Sequence, residues 1–205
     1  MRYLRADYKD EAASILVDTV YLKMRNEVQA RHVIKRFKCR VDAEGVDLEG
    51  GCRFASKNLA KHLKGCSEVL LLGATLGVRV DAAIRRLAML SVAEGAAAQA
   101  VGASLIESYC DEVQTKLDTG VLKQKTRFSP GYGDWDLKEQ SLLFSLLDCA
   151  RTIGLTLTEG YMMVPTKSVT AIIGLTNEEA CVSQKHKCSE CSNVNCEFRS
   201  EEEKK

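Results

Sequence analysis

SEVLLLGATLG, at residues 67–77, predicts a strand at the centre of the fold. Residues 69–72 are four apolar residues in succession, and Gly73 bounds them. A short run of this kind is typical of a strand that is buried on both faces. Such a strand requires packed layers on either side, and the flanking sequence offers helices to build them.

Downstream of this strand the pattern is mainly helical. Residues 78–118 are rich in alanine and predict two helices that meet near residues 89–94. Residues 136–150 predict an amphipathic helix, in which Asp136 and Glu139 have the spacing of a capping box. Two segments rich in β-branched residues then predict strands: LTLTEGYMMVP, at 155–165, and KSVTAIIGLT, at 167–176.

Upstream, residues 7–38 lack proline and glycine and carry apolar residues at helical spacing. They predict one long helix or two shorter ones. Residues 39–50 predict a small hairpin, and residues 56–65 predict a helix with Ser56 as its N-cap. We therefore expect a mixed α/β or α+β domain over residues 1–177, with a mainly helical part at about 1–60. A polar, cysteine-rich tail follows at 178–205.

The composition limits the classes of function. The 29 basic residues nearly balance the 28 acidic ones, so we expect no nucleic-acid partner and no membrane surface as a partner. The charged start MRYLRADYKDEAAS has no apolar signal region, and no run of about 18 apolar residues occurs. Nine cysteines in such a chain predict reduced thiols or metal ligands in a cytoplasmic protein.

The loop RFSPGYGDWD, at 127–136, concentrates stiff and bulky residues. Pro130 and Gly131 predict a tight turn with exposed backbone groups. Arg127 supplies a planar fork for a carboxylate, and Tyr132 offers an aromatic face. These features favour a cradle for a flat, zwitterionic small molecule. The alternative is a structural turn whose aromatic side chains fill a gap in the core.

Four cysteines in the tail have the spacing of a metal site. They are Cys181, Cys188, Cys191 and Cys196, and His186 is a possible substitute for one of them. A Cys-x-x-Cys pair with two further cysteines suits Zn²⁺ or an iron–sulfur cluster. The alternative is a cysteine-bearing tail that binds nothing. The basic cluster RHVIKRFKCR, at 31–40, is either a docking face for an acidic partner or a solvated helix face.

Three stretches resemble the activation domain of cobalamin-dependent methionine synthase. The first is the R-x-x-P-G-Y sequence at 127–132, and the second is SLLDCARTIGLTLTEGYMMVPTKSVTAIIG, at 145–174. The third, GCSEVLLLGATLGVRVDAAIRRL at 65–87, is similar to free-standing, single-domain members of the same superfamily. The resemblance spans most of residues 60–175 and implies a twisted central β-sheet with packed helices.

The resemblance also implies a site for S-adenosylmethionine. In the family the signature arginine holds the methionine carboxylate, and the turn after it contacts the nucleoside. By position these residues are Arg127, Ser129, Gly131 and Tyr132. For the acidic residue that binds the amino group the candidate is Glu107, with Glu112 as its rival. Two residues are further candidates for the ligand groove: Trp135 as a wall facing the corrinoid, and Glu159 in a strand near the loop.

The function implied is reactivation of a corrinoid protein by reductive methylation. In the family, S-adenosylmethionine methylates the corrinoid while an electron donor reduces the cobalt. We find no corrinoid-binding module in these residues and therefore expect a partner to carry the cobalamin, either a methionine synthase or another corrinoid protein. Flavodoxin or ferredoxin is the expected electron donor, unless a cluster in the tail delivers the electron. The alternative function is a metal-binding or Fe–S-binding interaction module without S-adenosylmethionine activity.

Overall fold

A computed structural model describes residues 11–177 of the chain. The helices are α1 (Glu11–Met24), α2 (Lys57–His62), α3 (Val78–Leu90), α4 (Val92–Thr115), α5 (Gln140–Leu147) and α6 (Cys149–Ile153). The strands are β1 (Arg31–Val41), β2 (Gly45–Leu48), β3 (Cys52–Ala55), β4 (Glu68–Thr75), β5 (Lys123–Phe128), β6 (Thr156–Leu157), β7 (Met163–Val164) and β8 (Ser168–Thr176). Short 3-10 turns lie at Arg25–Glu27 and Leu137–Glu139.

Within residues 11–177, six strands form one antiparallel sheet in the order β3-β2-β1-β4-β8-β5, and β6 pairs only with β7. β4 lies inside this sheet, between β1 and β8, and seven of its eight residues are buried. Its side chains alternate between two separate hydrophobic cores: Leu70 and Leu72 point into one, and Val69 and Leu71 into the other. The prediction of a strand buried on both faces is confirmed.

The two cores lie on opposite faces of the sheet. The first is formed with α1, α3 and α4, and the second with α2, α5, α6 and the β2–β3 hairpin. The predicted α+β fold, a sheet with packed helices, is therefore confirmed. No helix within residues 11–177 is long and apolar enough to cross a bilayer.

The predicted break between two long helices is also confirmed. α3 ends and α4 begins at Ser91, whose hydroxyl accepts a hydrogen bond from the Glu94 amide at 3.0 Å. The small residues of α4 allow close packing beside this break. A Cβ on Gly95 would lie 2.9 Å from the Cα of Ala88, so glycine is needed where the two helices meet.

The predicted helix over residues 7–38 is wrong beyond Met24. Residues 31–41 form β1 and pair with β4 over Arg31–Lys38. Val33 and Ile34 are β-branched and pack partly into opposite cores, as the period of a strand requires. The apolar residues of this segment that lie three and four apart are also compatible with a helix. The segment forms a strand because it pairs with the buried strand β4. The mainly helical part expected at 1–60 therefore contains three strands between residues 31 and 55.

The predicted strand over residues 155–165 is wrong for most of its length. Only the short strands β6 and β7 pair, and residues 158–162 form the turn between them. The Thr158 hydroxyl accepts a hydrogen bond from the Met162 amide at 3.1 Å, and Tyr161 has a left-handed φ of 62°. The Thr158 side chain therefore closes a tight turn. Glu159 lies exposed in that turn and not in a strand.

Candidate functional site

Arg127 lies on the edge strand β5, and its side chain is tied to α4. Its Nη2 donates to Glu107 Oε2 at 2.9 Å and contacts Asp111 Oδ1 at 2.7 Å. Its Nη1 donates to Gln114 Oε1 at 3.1 Å. The guanidinium side chain is only 17% exposed. Arg127 and Glu107, the two side chains predicted to hold the two ends of an amino acid, therefore lie together.

The spacing of the three partners along α4 explains this cluster. Residues 107, 111 and 114 are separated by four and three positions, so they lie on one face of a helix, which here is turned to β5. Asp111 and Gln114 were not among the predicted site residues, although the spacing from Glu107 is the signal that would have found them. Glu112 points elsewhere and forms an ion pair with Lys116.

The cluster of Arg127, Glu107, Asp111 and Gln114 carries a net negative charge. Burial alone would lower the pKa of Arg127, but hydrogen bonds to Asp111 and Glu107 and the nearby charges raise that pKa above its ordinary value. Arg127 therefore stays cationic beside two carboxylates. Glu107 is 44% exposed and Asp111 is 70% exposed, so both remain accessible to a ligand. Within residues 11–177, two of the five Arg127 N–H groups have no acceptor.

The loop after β5 is closed by its own backbone. The Tyr132 amide donates to the Ser129 carbonyl at 3.1 Å, the Gly131 amide donates to the Trp135 carbonyl at 2.7 Å, and the Trp135 amide donates to the Tyr132 carbonyl at 3.0 Å. Gly131 has a φ of 89°, in the left-handed region that favours glycine. The predicted tight turn is present, with Gly131 and Tyr132 exposed.

Asp134 anchors the loop to the start of α2. Its carboxylate accepts hydrogen bonds from the Ser56 hydroxyl and from the amides of Lys57 and Asn58, at 2.9 and 3.0 Å for the two amides. The Ser56 hydroxyl, and then these amides, lower the pKa of Asp134. Ser56 also caps α2, as predicted, by accepting from the Leu59 amide. Nothing in the spacing of GDWD indicates this anchor, because the helix it contacts is almost 80 residues earlier.

Trp135 does not form a groove wall, in contrast to the prediction. It is 1% exposed and packs in the second core against Phe54 and Phe128, with ring centroids 5.2 and 6.0 Å away. A large aromatic side chain next to two other rings gains more from burial than from exposure at a rim. For Trp135 the alternative reading is right: it fills the core under the loop.

Four large apolar side chains remain exposed on the loop, on the short turn after it and on the β6–β7 hairpin. They are Tyr132 at 53%, Leu137 at 40%, Met162 at 64% and Val164 at 42%. The Gln140 side chain donates to the Tyr161 carbonyl at 3.2 Å and so joins α5 to the hairpin turn. We call these four residues the apolar rim.

The comparisons with known proteins agree with this architecture. Residues 107–196 match the family model described as vitamin B12 dependent methionine synthase, activation domain. The matched segment contains Glu107, Arg127 and the Pro-Gly-Tyr loop, and the resemblance predicted from these motifs is confirmed.

Among solved structures, a crystal structure of the MetH reactivation domain bound to AdoHcy is similar to this chain. The TM-score is 0.62 and the sequence identity is 14%, over 86% of this chain and 69% of that one. At this identity the likeness establishes the fold. No curated protein sequence matches the chain.

The predicted metal ligands Cys181, Cys188, Cys191 and Cys196 lie outside the described residues. Within residues 11–177, no group of three or more potential ligand side chains is arranged to hold a metal ion. The five cysteines of residues 11–177 form no disulfide with one another: Cys39, Cys52, Cys66, Cys110 and Cys149.

Proposed function

We propose that this protein binds S-adenosylmethionine beside Arg127 and supports the reductive methylation of a corrinoid protein. The observation that carries the proposal is the contact of Arg127 with Glu107 at the base of the Pro-Gly-Tyr loop. A guanidinium beside a carboxylate matches the two charged ends of an amino acid. The family match over residues 107–196 supports methionine synthase, or a similar corrinoid protein, as the client.

The charge of the site supports this ligand. S-adenosylmethionine carries an ammonium, a sulfonium and a carboxylate, so its net charge is +1, whereas Arg127, Glu107 and Asp111 together carry −1. We assign the ligand carboxylate to the free N–H groups of Arg127 and the ammonium to Glu107. Asp111, which is more exposed, adds to the field that favours a cation.

The loop supplies the remaining contacts of the proposed site. The turn held by the hydrogen bond between Tyr132 and Ser129 keeps Gly131 exposed, so a ligand can approach its backbone without meeting a side chain. Tyr132 offers an aromatic face, and its ring packs edge-on against Phe128 at 5.8 Å, which limits its freedom. We assign Ser129, Gly131 and Tyr132 to the nucleoside.

The role of the chain is positioning and not acid–base catalysis. When bound, S-adenosylmethionine supplies an activated methyl group that a reduced corrinoid of the partner accepts, with AdoHcy as the product. No proton moves in such a transfer, so a general base is not required. We assign the apolar rim, of which Tyr132 is a member, to the contact with the partner's corrinoid domain.

Titration calorimetry with S-adenosylmethionine tests the proposal through matched variants. Arg127→Ala should weaken binding by at least about tenfold, because a charge-assisted pair is worth roughly 1.5–3 kcal/mol. Arg85→Ala is the control, because Arg85 is an exposed arginine on α3. Glu107→Gln should weaken binding and Glu112→Gln should not. Equal affinities for Arg127→Ala and the native chain would contradict the proposal.

The methylated and demethylated forms of the ligand give a second test. AdoHcy lacks the sulfonium charge and is net neutral, so the anionic cluster should bind it more weakly than S-adenosylmethionine. The preference should shrink as salt is raised, because the charges are partly exposed and screened. Equal affinities at low salt would contradict the assigned role of Glu107 and Asp111.

The electron donor and the tail are also proposals. A flavodoxin or ferredoxin is the partner class that would supply the electron, unless the cysteines at 181, 188, 191 and 196 hold a cluster that does so. Metal analysis of anaerobically purified protein, with visible absorption, separates iron–sulfur from zinc and from no metal. If S-adenosylmethionine does not bind and metal does, the alternative of a metal-binding interaction module on this fold is favoured. We keep the division at residue 177/178 as a working boundary for that comparison.

A further inference from the structure

β1 has an open edge that no other strand of the described chain covers. On one side it pairs with β4 over Arg31–Lys38, but on the other side β2 pairs only with Cys39–Val41. Residues 31–37 are therefore unpaired on that side. None of the eleven residues of β1 is buried, although the neighbouring β4 is almost wholly buried. This exposure is that of an edge strand.

The hydrogen bonds around β1 define which backbone groups face the open edge. The Cys39 amide donates to the Ser67 carbonyl at 3.0 Å, toward β4, whereas the Lys38 carbonyl accepts from the Glu49 amide, on the opposite side. In an antiparallel ladder the direction alternates with each residue. The N–H and C=O groups of residues 32, 34 and 36 therefore point away from β4, where no strand pairs with them.

The same strand carries a strong and largely uncompensated positive charge. Its sequence, RHVIKRFKCRV, has five arginines and lysines and no acidic residue. Arg36 is paired with Glu68. The other four cations, Arg31, Lys35, Lys38 and Arg40, have no ion-pair partner within residues 11–177, although the Lys35 ammonium donates to the Leu146 carbonyl at 2.7 Å.

We propose that an extended acidic segment of a partner protein adds to the sheet at β1. The three outward residues supply backbone hydrogen bonds in the manner of β-strand addition, and the cations select acidic side chains. A second copy of this chain is a poorer occupant, because pairing β1 with itself would place ten cations and no acidic residue on the two paired strands. β1 is three strands from β5 in the sheet, so this edge is separate from the proposed ligand site.

The probe is an acetylated, fluorescent heptapeptide of alternating glutamate and valine, with a lysine–valine heptapeptide as its control. Fluorescence anisotropy with the full chain should show binding of the acidic peptide and none of the basic one. Amide hydrogen exchange should become slower at residues 32, 34 and 36, and the amides that already bond β4 should change little. Binding without this alternating protection would overturn strand addition.

Two pairs of variants separate backbone pairing from charge. His32→Pro removes an outward N–H without disturbing the β4 ladder, and His32→Ala removes the same side chain but keeps the N–H. We expect about tenfold weaker binding for the proline variant alone. Arg31→Glu should weaken binding about fivefold or more, and Arg85→Glu should not.

Two further results would contradict strand addition at β1. Equal loss with His32→Pro and His32→Ala, or no binding of the acidic peptide, would mean that the cations only protect the edge from unwanted pairing. Circular dichroism of each variant excludes unfolding as the cause. Because Arg127 is not altered in this experiment, its failure leaves S-adenosylmethionine binding unaffected.

Discussion

Replacement of Asp134 by alanine tests whether the loop is held by α2. The change removes one hydrogen bond to the Ser56 hydroxyl and one each to the Lys57 and Asn58 amides. Lys57 and Asn58 are exposed, so water compensates part of the loss. The loss should match that of a helix N-cap, about 1–2 kcal/mol of unfolding free energy. For a chain of this size that is a decrease in Tm of roughly 2–8 °C.

The pH dependence of this loss gives a stricter test. The pKa of Asp134 is lowered in the folded protein, so its contribution to stability is complete above the unfolded pKa of about 3.9 and is lost as pH falls through the lower folded value. Urea unfolding should therefore give a constant difference between wild type and Asp134→Ala from about pH 5 to 8. Below about pH 4 the difference should narrow.

Asp136→Ala is the matched control for this experiment. Asp136 lies in the same loop, but within residues 11–177 its side chain accepts only from the Lys138 amide. Its replacement should cost about half as much unfolding free energy. A difference between wild type and Asp134→Ala that stays constant down to pH 3, or that is no larger than that of the control, would refute the anchoring role.

Three further predictions concern packing under the site. Gly133→Ala should destabilise the protein by about 1–3 kcal/mol in urea unfolding, because φ is 57° and the new Cβ would lie 2.1 Å from the side-chain Nδ2 of Asn58 and 2.9 Å from its Cβ; an unchanged midpoint would contradict this. Trp135→Phe should lower the unfolding free energy by less than about 1 kcal/mol, because the small cavity it opens is offset by the loss of a buried N–H that has no acceptor within residues 11–177. Trp135→Ala should lower it by about 3–5 kcal/mol. Unfolding followed by circular dichroism measures both changes. Burial raises the pKa of the Cys110 thiol to about 12, so at pH 8 iodoacetamide should modify this cysteine only after unfolding, as mass mapping would reveal.

The fold was predictable where the pattern was unambiguous. The apolar run at 69–72 predicted the central strand, and Ser91 lies at the predicted break between α3 and α4. β1 was not predictable in the same way, since its apolar residues satisfy both a helical and a strand period. Its pairing with β4, whose paired residues lie 30 to 44 positions later, stabilises it as a strand.

The candidate site was predictable in part for a similar reason. Arg127 and the turn after it form one contiguous motif, and Glu107 could be named from the resemblance. Asp111 lies four residues after Glu107 in the predicted helical stretch, and this spacing is the signal that would have placed both on one helix face. Asp134 acts on a helix far earlier in the sequence, and Trp135 lies in a core that forms only when the sheet has assembled.

Helices on both faces of the sheet hold the two ends of the loop that follows β5. Arg127 is tied to α4, which packs in the first core, and Asp134 is tied to α2, which packs in the second. The short stretch between them is the loop that we assign to the nucleoside, so both layers fix its position. A ligand that binds only this arrangement must stabilise both attachments, since binding to the folded state alone raises its stability. Saturating S-adenosylmethionine should therefore slow hydrogen exchange at the amides of Lys57 and Asn58, although neither residue is assigned to the ligand.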